Sequence, residues 1–92
     1  MSLNKQVPFL YTLAGAGSEV LTISNAKGIS ILAMGGTVDV LNANGQTMPI
    51  PDGSTLDMNA DSGNTLSDVI VTPSGAATAY VTMLGGLGIV TP

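Results

Sequence analysis

The stretch Asp57-Met58-Asn59-Ala60-Asp61-Ser62-Gly63-Asn64-Thr65-Leu66-Ser67-Asp68 carries the densest oxygen chemistry in the chain. Side-chain oxygens fall at positions 1, 3, 5, 9 and 12 of this window, on Asp57, Asn59, Asp61, Thr65 and Asp68. A hard cation such as Ca2+ takes about 6–8 oxygen ligands, and a helix-flanked calcium loop spaces them this way. Three features depart from that pattern. Position 6, where the sharp turn wants Gly, is Ser62, and Gly63 comes one place late. The last ligand is Asp68, shorter than the usual bidentate Glu. No helical pattern flanks the window. The same residues also make a plain loop between strands, because Asp, Asn and Ser bond their own nearby backbone and Gly turns the chain. Two readings therefore stand at this level: a Ca2+ site on Asp57, Asn59, Asp61 and Asp68, or a loop with no cofactor.

Other chemistry is thinner. Asp52 lies in Pro51-Asp52-Gly53-Ser54, a β-turn signature that places Pro at the second turn position. No second acid stands at a spacing that marks a general acid/base pair. Gly15-Ala16-Gly17 and Gly85-Gly86-Leu87-Gly88 have the glycine content of phosphate loops, but neither is followed by a helical pattern or a Lys. The chain has no His and no Cys, so its serines have no imidazole base, and thiolate nucleophiles, imidazole or thiolate metal sites and disulfides are excluded. The expectation is a protein that is not an enzyme.

Charge narrows the partners. Two cations, Lys5 and Lys27, face six acids, for a net charge of −4. Nucleic-acid binding needs several cations against phosphates, so no nucleic acid is expected. Three aromatics (Phe9, Tyr11 and Tyr80) are too few for a stacking platform. Val69–Pro92 is uncharged, but Thr, Pro, Ser and Gly interrupt it and no Lys or Arg flanks it, so no membrane span is expected. The start, Met1-Ser2-Leu3-Asn4-Lys5-Gln6, lacks the apolar region of a secretory signal, which fits synthesis in the cytoplasm.

The elements that position these residues repeat with period two. Twelve Gly, ten Thr and five Pro argue against helices. Short alternating runs split by Gly, Pro, Asn and Asp predict strands near 7–13, 19–24, 28–34, 37–42, 46–50, 54–59, 67–72 and 77–83, with a ninth over 87–91 or a Gly-rich tail over 84–92. Residues 1–6 are a candidate arm, and Ala14–Ser18 reads as a flexible loop. The fold class is all-β: one antiparallel β-sandwich or barrel-like domain, of jelly-roll type, over residues 1–92.

Two hairpins follow from the turns. Gly35-Gly36 as a two-residue turn pairs Met34 with Thr37 and Ala33 with Val38, which places Ile31, Ala33, Val38 and Val40 on one face. Ala43-Asn44-Gly45 as a three-residue loop with a left-handed Gly45 pairs Val40 with Met48 and Val38 with Ile50. Pro49 and Pro51 cannot donate to a ladder, so that strand belongs at an edge. Pro73-Ser74-Gly75 links Val69–Thr72 to Ala77–Met83. Tyr11 and Tyr80 read first as core residues whose hydroxyls reach an edge, and second as interface anchors.

A domain of this size buries only about 60–65% of its unfolded surface. Without disulfides, and with few charges to guard its strand edges, association is the expected remedy. The contact residues expected are Val7, Phe9 and Tyr11 at one end of the chain and Leu84, Leu87, Ile89 and Val90 at the other.

Three stretches resemble a known class: Gly35-Gly36-Thr37-Val38-Asp39-Val40, Ile50-Pro51-Asp52-Gly53-Ser54-Thr55-Leu56, and Leu66-Ser67-Asp68-Val69-Ile70-Val71-Thr72-Pro73-Ser74-Gly75. Over residues 29–83 the chain is similar in style to small virion proteins of tailed bacteriophages, the capsid decoration (cement) proteins and related head-surface modules. That resemblance implies a β-sandwich or β-tulip bound in many copies to a capsid, as a homo-oligomer (trimer or dimer) with the major capsid protein as partner. The location it implies is the virion. No motif in it carries functional residues. The alternative is a small binding or adhesion module of a larger assembly.

Overall fold

The computed structural model describes residues 9–91. Nine strands are present there: β1 (Phe9–Ala14), β2 (Val20–Ser24), β3 (Gly28–Met34), β4 (Val38–Leu41), β5 (Thr47–Ile50), β6 (Thr55–Asn59), β7 (Val69–Pro73), β8 (Thr78–Leu84) and β9 (Leu87–Thr91). They form two antiparallel sheets, one of four strands in the order β1-β8-β3-β6 and one of five in the order β5-β4-β7-β2-β9. Every strand lies within about two residues of its expected place. The end of the chain is a strand through Thr91 and not a Gly-rich tail from Leu84. The candidate arm over residues 1–6 and the expected contact Val7 lie outside the described residues.

The sheets face each other because most strands are apolar on one side only. Ala79, Val81 and Met83 point inward from β8, Ile29, Ile31 and Ala33 from β3, Val38 and Val40 from β4, and Val69 and Val71 from β7. All are buried, with Ile31, Ala33, Val38, Val40, Ala79 and Val81 fully enclosed. Among the described residues no polar or charged side chain is buried. The core is aliphatic and makes no directional bond, so its stability comes from area and close packing.

The chain changes sheets at nearly every step. The first eight strands, β1-β8-β3-β6 over β2-β7-β4-β5, have the order of an eight-stranded jelly roll. The ninth strand is an addition that pairs with β2 and extends the larger sheet.

That crossing corrects one hairpin. Gly35-Gly36 does not pair β3 with β4, which lie in different sheets; β4 pairs with β5 and β7 instead. Ile31, Ala33, Val38 and Val40 do share one core, but they meet face to face across it. Alternation tells which side of a strand is apolar and is silent on whether the next strand lies beside it or opposite. Gly35 makes the crossing with φ of 81°, and its N–H donates to the Asp52 carboxylate at 2.8 Å.

The other hairpin forms in the expected register, Val38 opposite Ile50 and Val40 opposite Met48, with Gly45 at φ 82°. Asn42 holds the loop, its Oδ1 accepting from the N–H groups of Asn44 and Gln46 at 2.9 and 3.0 Å. β5, with Pro49, is an edge strand. Pro73-Ser74-Gly75 carries the chain from β7 in one sheet to β8 in the other.

The Ala14–Ser18 stretch is not a loose loop. Gly15–Gly17 forms one 3-10 turn, closed by Ser18 in the left-handed region. The Gly15 N–H donates to the Ala77 carbonyl at 2.9 Å. A Cβ on Gly15 would stand 1.8 Å from the Ser74 carbonyl oxygen, so the two backbones touch there.

Candidate interface

The outward sides of the two sheets carry what chemistry the described residues offer. On the five-stranded sheet one row crosses every strand: Ile89, Thr22, Ile70, Leu41 and Thr47, each directly opposite the next. The alternation that buries Leu21, Val71 and Val40 points this row outward. Beside it on β9, Leu87 is 60% and Ile89 52% exposed.

β9 is an edge strand, and its inward side is also incomplete. Val90 points inward yet remains 39% exposed, because among the described residues no strand lies beyond this edge to cover it. Gly88, its inward neighbour, leaves a notch that the Tyr11 ring fills. An added Cβ on Gly88 would stand 2.8 Å from the Tyr11 hydroxyl and 2.9 Å from the ring carbon bearing it. The hydroxyl donates to the Gly88 carbonyl at 3.4 Å, a long and weak bond. Tyr11 thus stacks the edge of one sheet on the edge of the other, half-buried against the core and not enclosed at its centre, with its hydroxyl at the edge.

The other tyrosine departs from expectation. Tyr80 points away from the core and is 40% exposed, because Ala79 and Val81 take the inward positions on β8. Across the four-stranded sheet it stands opposite Thr12 and Leu32. Leu10 and Met34 are exposed on the same outer side.

The expected contact residues therefore separate. Tyr11, Leu87, Ile89 and Val90 gather at the β9 edge. Phe9 lies in β1 with its Cα opposite Met83. Leu84 is not at that edge; it lies on the far side of the four-stranded sheet, where its Cα faces Gly28.

There, Gly28 leaves a shallow groove of about 260 Å3 between β8 and β6, bordered by Ser30, Thr82, Leu84, Asp57 and Asn59. The Ser30 hydroxyl donates to Asp57 Oδ1 at 2.6 Å.

The four residues of the cation reading are spread out. Asp57 and Asn59 lie on β6 and face the groove. Asp61 opens the turn Asp61–Asn64, in which its carbonyl accepts from the Asn64 N–H at 2.9 Å and Gly63 has φ 82°. Asp68 immediately precedes β7, in the other sheet. Among the described residues no group of three acidic side chains comes together.

Asp52 is a turn residue, as its neighbours imply, with one shift of register. The Ser54 N–H bonds the Pro51 carbonyl at 3.0 Å, so Pro51 stands at the first turn position and Gly53, with φ 82°, at the third. The reach of its carboxylate to Gly35 had no sequence signal, since the two are joined only by the fold.

No helix among the described residues is long and apolar enough to cross a membrane. Comparison of the chain with protein-family models, curated proteins and solved structures finds no match.

Proposed function

We propose that the chain is a non-enzymatic assembly subunit, a small structural module that decorates or stabilises a large particle through subunit–subunit contacts. The observation that carries this reading is the placement of the exposed large apolar side chains. Leu87, Ile89 and Val90 line one strand edge, and Leu10, Met34 and Tyr80 sit on the outer side of the opposite sheet. Two apolar surfaces on different sides suit a subunit that touches two neighbours, whereas scattered exposed apolar residues need no explanation. The resemblance to virion decoration proteins makes a viral capsid the particle and its major capsid protein the second neighbour. The jelly roll is a fold used in capsids, and it is used for lectins and cupins as well.

Sedimentation of native material on a density gradient tests this. Co-migration with megadalton particles at many copies per particle is the expected result; recovery only in light fractions would refute it.

A second reading, a small binding module, draws on the groove at Gly28. Its carboxylate, carboxamide and hydroxyls suit a neutral polyhydroxylated ligand. Thermal stabilisation by such a ligand, lost in Asp57→Ala, would bring it forward.

A further inference from the structure

We infer that β9 pairs antiparallel with β9 of a second copy, about a two-fold axis through Ile89, joining two five-stranded sheets into one of ten strands. The inference rests on the reading of the chain as an assembly subunit and assigns the surface and geometry of its self-contact.

The four sheet edges are not equivalent. β5 carries Pro49, which has no N–H to donate. β6 carries the exposed carboxylate of Asp57. On β1, the Glu19 carboxylate accepts the Ala14 N–H at 2.8 Å and brings a negative charge to the end of that strand. Strand β9, Leu87-Gly88-Ile89-Val90-Thr91, has no charge and no proline, yet three of its five side chains are exposed and apolar. Proline and charge are the usual devices that keep an edge unpaired. Among the described residues, β9 is the edge that lacks both.

Charge selects a second copy as the occupant. Each chain carries −4, so two copies approach with least repulsion on a surface free of carboxylates. A cationic partner would find nothing on β9 to recognise.

The side chains fit a two-fold pairing. With Ile89 opposite its own copy, Leu87 faces Thr91 and Gly88 faces Val90. A two-fold axis normal to the sheet keeps outward residues outward, so the row Leu41, Ile70, Thr22, Ile89 runs on through its mirror order in the second copy. On the inward side the second copy's Val90 comes beside Gly88 and the Tyr11 ring that fills its notch, where a larger residue than Gly would collide. Val90 then gains the cover that it lacks in one chain. A five-residue edge buries less than the ~800 Å2 per partner of a standard interface, so the pair is reversible and forms with concentration.

Sedimentation velocity on the purified full chain, over a range of concentrations, reads the pairing. The expected result is a concentration-dependent dimer that Ile89→Lys weakens at least about tenfold, since like charges directly opposite repel across a strand pair. Leu10→Lys, at a more exposed position on the other sheet, leaves it unchanged. Ile89 is half exposed, so the Lys variant retains the fold, checked by a melting temperature equal to that of the parent chain at a dilution where both are monomeric. The chain has no Cys, so a second probe is clean. Antiparallel Cα pairs stand about 4.5–5.5 Å apart, inside the disulfide range of about 4.4–6.8 Å, so Ile89→Cys cross-links under mild oxidant faster than Leu10→Cys. Equal cross-linking of the two, or a dimer indifferent to Ile89→Lys, overturns the β9 pairing while leaving the assembly reading in place. A chain that is monomeric at every concentration overturns the pairing even if it co-migrates with particles. Failure to co-migrate, with the dimer intact, overturns the assembly reading alone.

Discussion

Replacing Gly15 with Ala tests whether the jelly roll closes through backbone contact. The added Cβ would lie 1.8 Å from the Ser74 oxygen, 2.6 Å from its carbon and 3.1 Å from the Ala77 oxygen. All three obstacles are main chain, so no rotamer relieves them. Restoring ordinary contact means opening the first gap to at least 3.4 Å, which pulls the Gly15 N–H off the Ala77 carbonyl. An overpacked site costs about 1–3 kcal/mol and a buried donor left unpaired about 1–3 kcal/mol. Ala in place of Gly returns about 0.4–1 kcal/mol through the unfolded chain. The net loss is about 3 kcal/mol, against a total stability of roughly 5–14 kcal/mol for a domain of this length. At about 4–8 °C per kcal/mol the melting temperature falls by about 12–24 °C. Gly75→Ala is the control, since a Cβ there meets nothing within 4 Å. Neither glycine has a positive φ, so backbone strain does not separate them. Thermal melts followed by circular dichroism decide the matter. If the two variants melt within about 3 °C of each other, the close approach of the Gly15 turn to Ser74 is not a structural constraint.

Three more outcomes follow from the same geometry. Gly88→Val drives a side chain into the Tyr11 ring and lowers the melting temperature, whereas Tyr11→Phe, which loses only a 3.4 Å bond, changes stability by less than about 0.5 kcal/mol in chemical denaturation. Ile31→Ala, fully enclosed in the middle of β3, costs about 3–4 kcal/mol, while Leu87→Ala in dilute solution stays within about 0.5 kcal/mol, both read from urea midpoints. Millimolar Ca2+ leaves the melting temperature unchanged, because the acids at 57, 61 and 68 sit on a strand, in a turn and before a strand of the other sheet; saturation at a hundredfold excess over Kd would add about 2.7 kcal/mol and show at once.

The strands were legible because each carries its own signal. Val38-Asp39-Val40 and Ala79-Tyr80-Val81 alternate in burial as they alternate in polarity. The Asn42–Gln46 loop was legible for the same reason: its bonds lie within five residues. What alternation could not show is which strands are neighbours, and so β3 and β4 read as a hairpin when they stack across the core. Tyr80 was misplaced because a tyrosine suits either side of a strand, and the deciding fact was the small but fully buried pair Ala79 and Val81 beside it. At the candidate interface, the exposure of Leu87, Ile89 and Val90 followed from a charge-free end of the chain. The seat of Tyr11 on Gly88 did not, since it joins residues 77 positions apart that only the closed sandwich brings together.

The strand order also governs how the chain is made. β1 has its partner in β8, β2 in β7 and β9, and β3 in β6 and β8; only β4 and β5 pair with a neighbour in sequence. Such long-range pairing slows folding to the millisecond-to-second range. During translation at about 5–20 residues per second, β1 waits several seconds before β8 exists to receive it. A chain cut short before Thr78 lacks the strand that both β1 and β3 pair with, so the four-stranded sheet cannot assemble until β8 has been made.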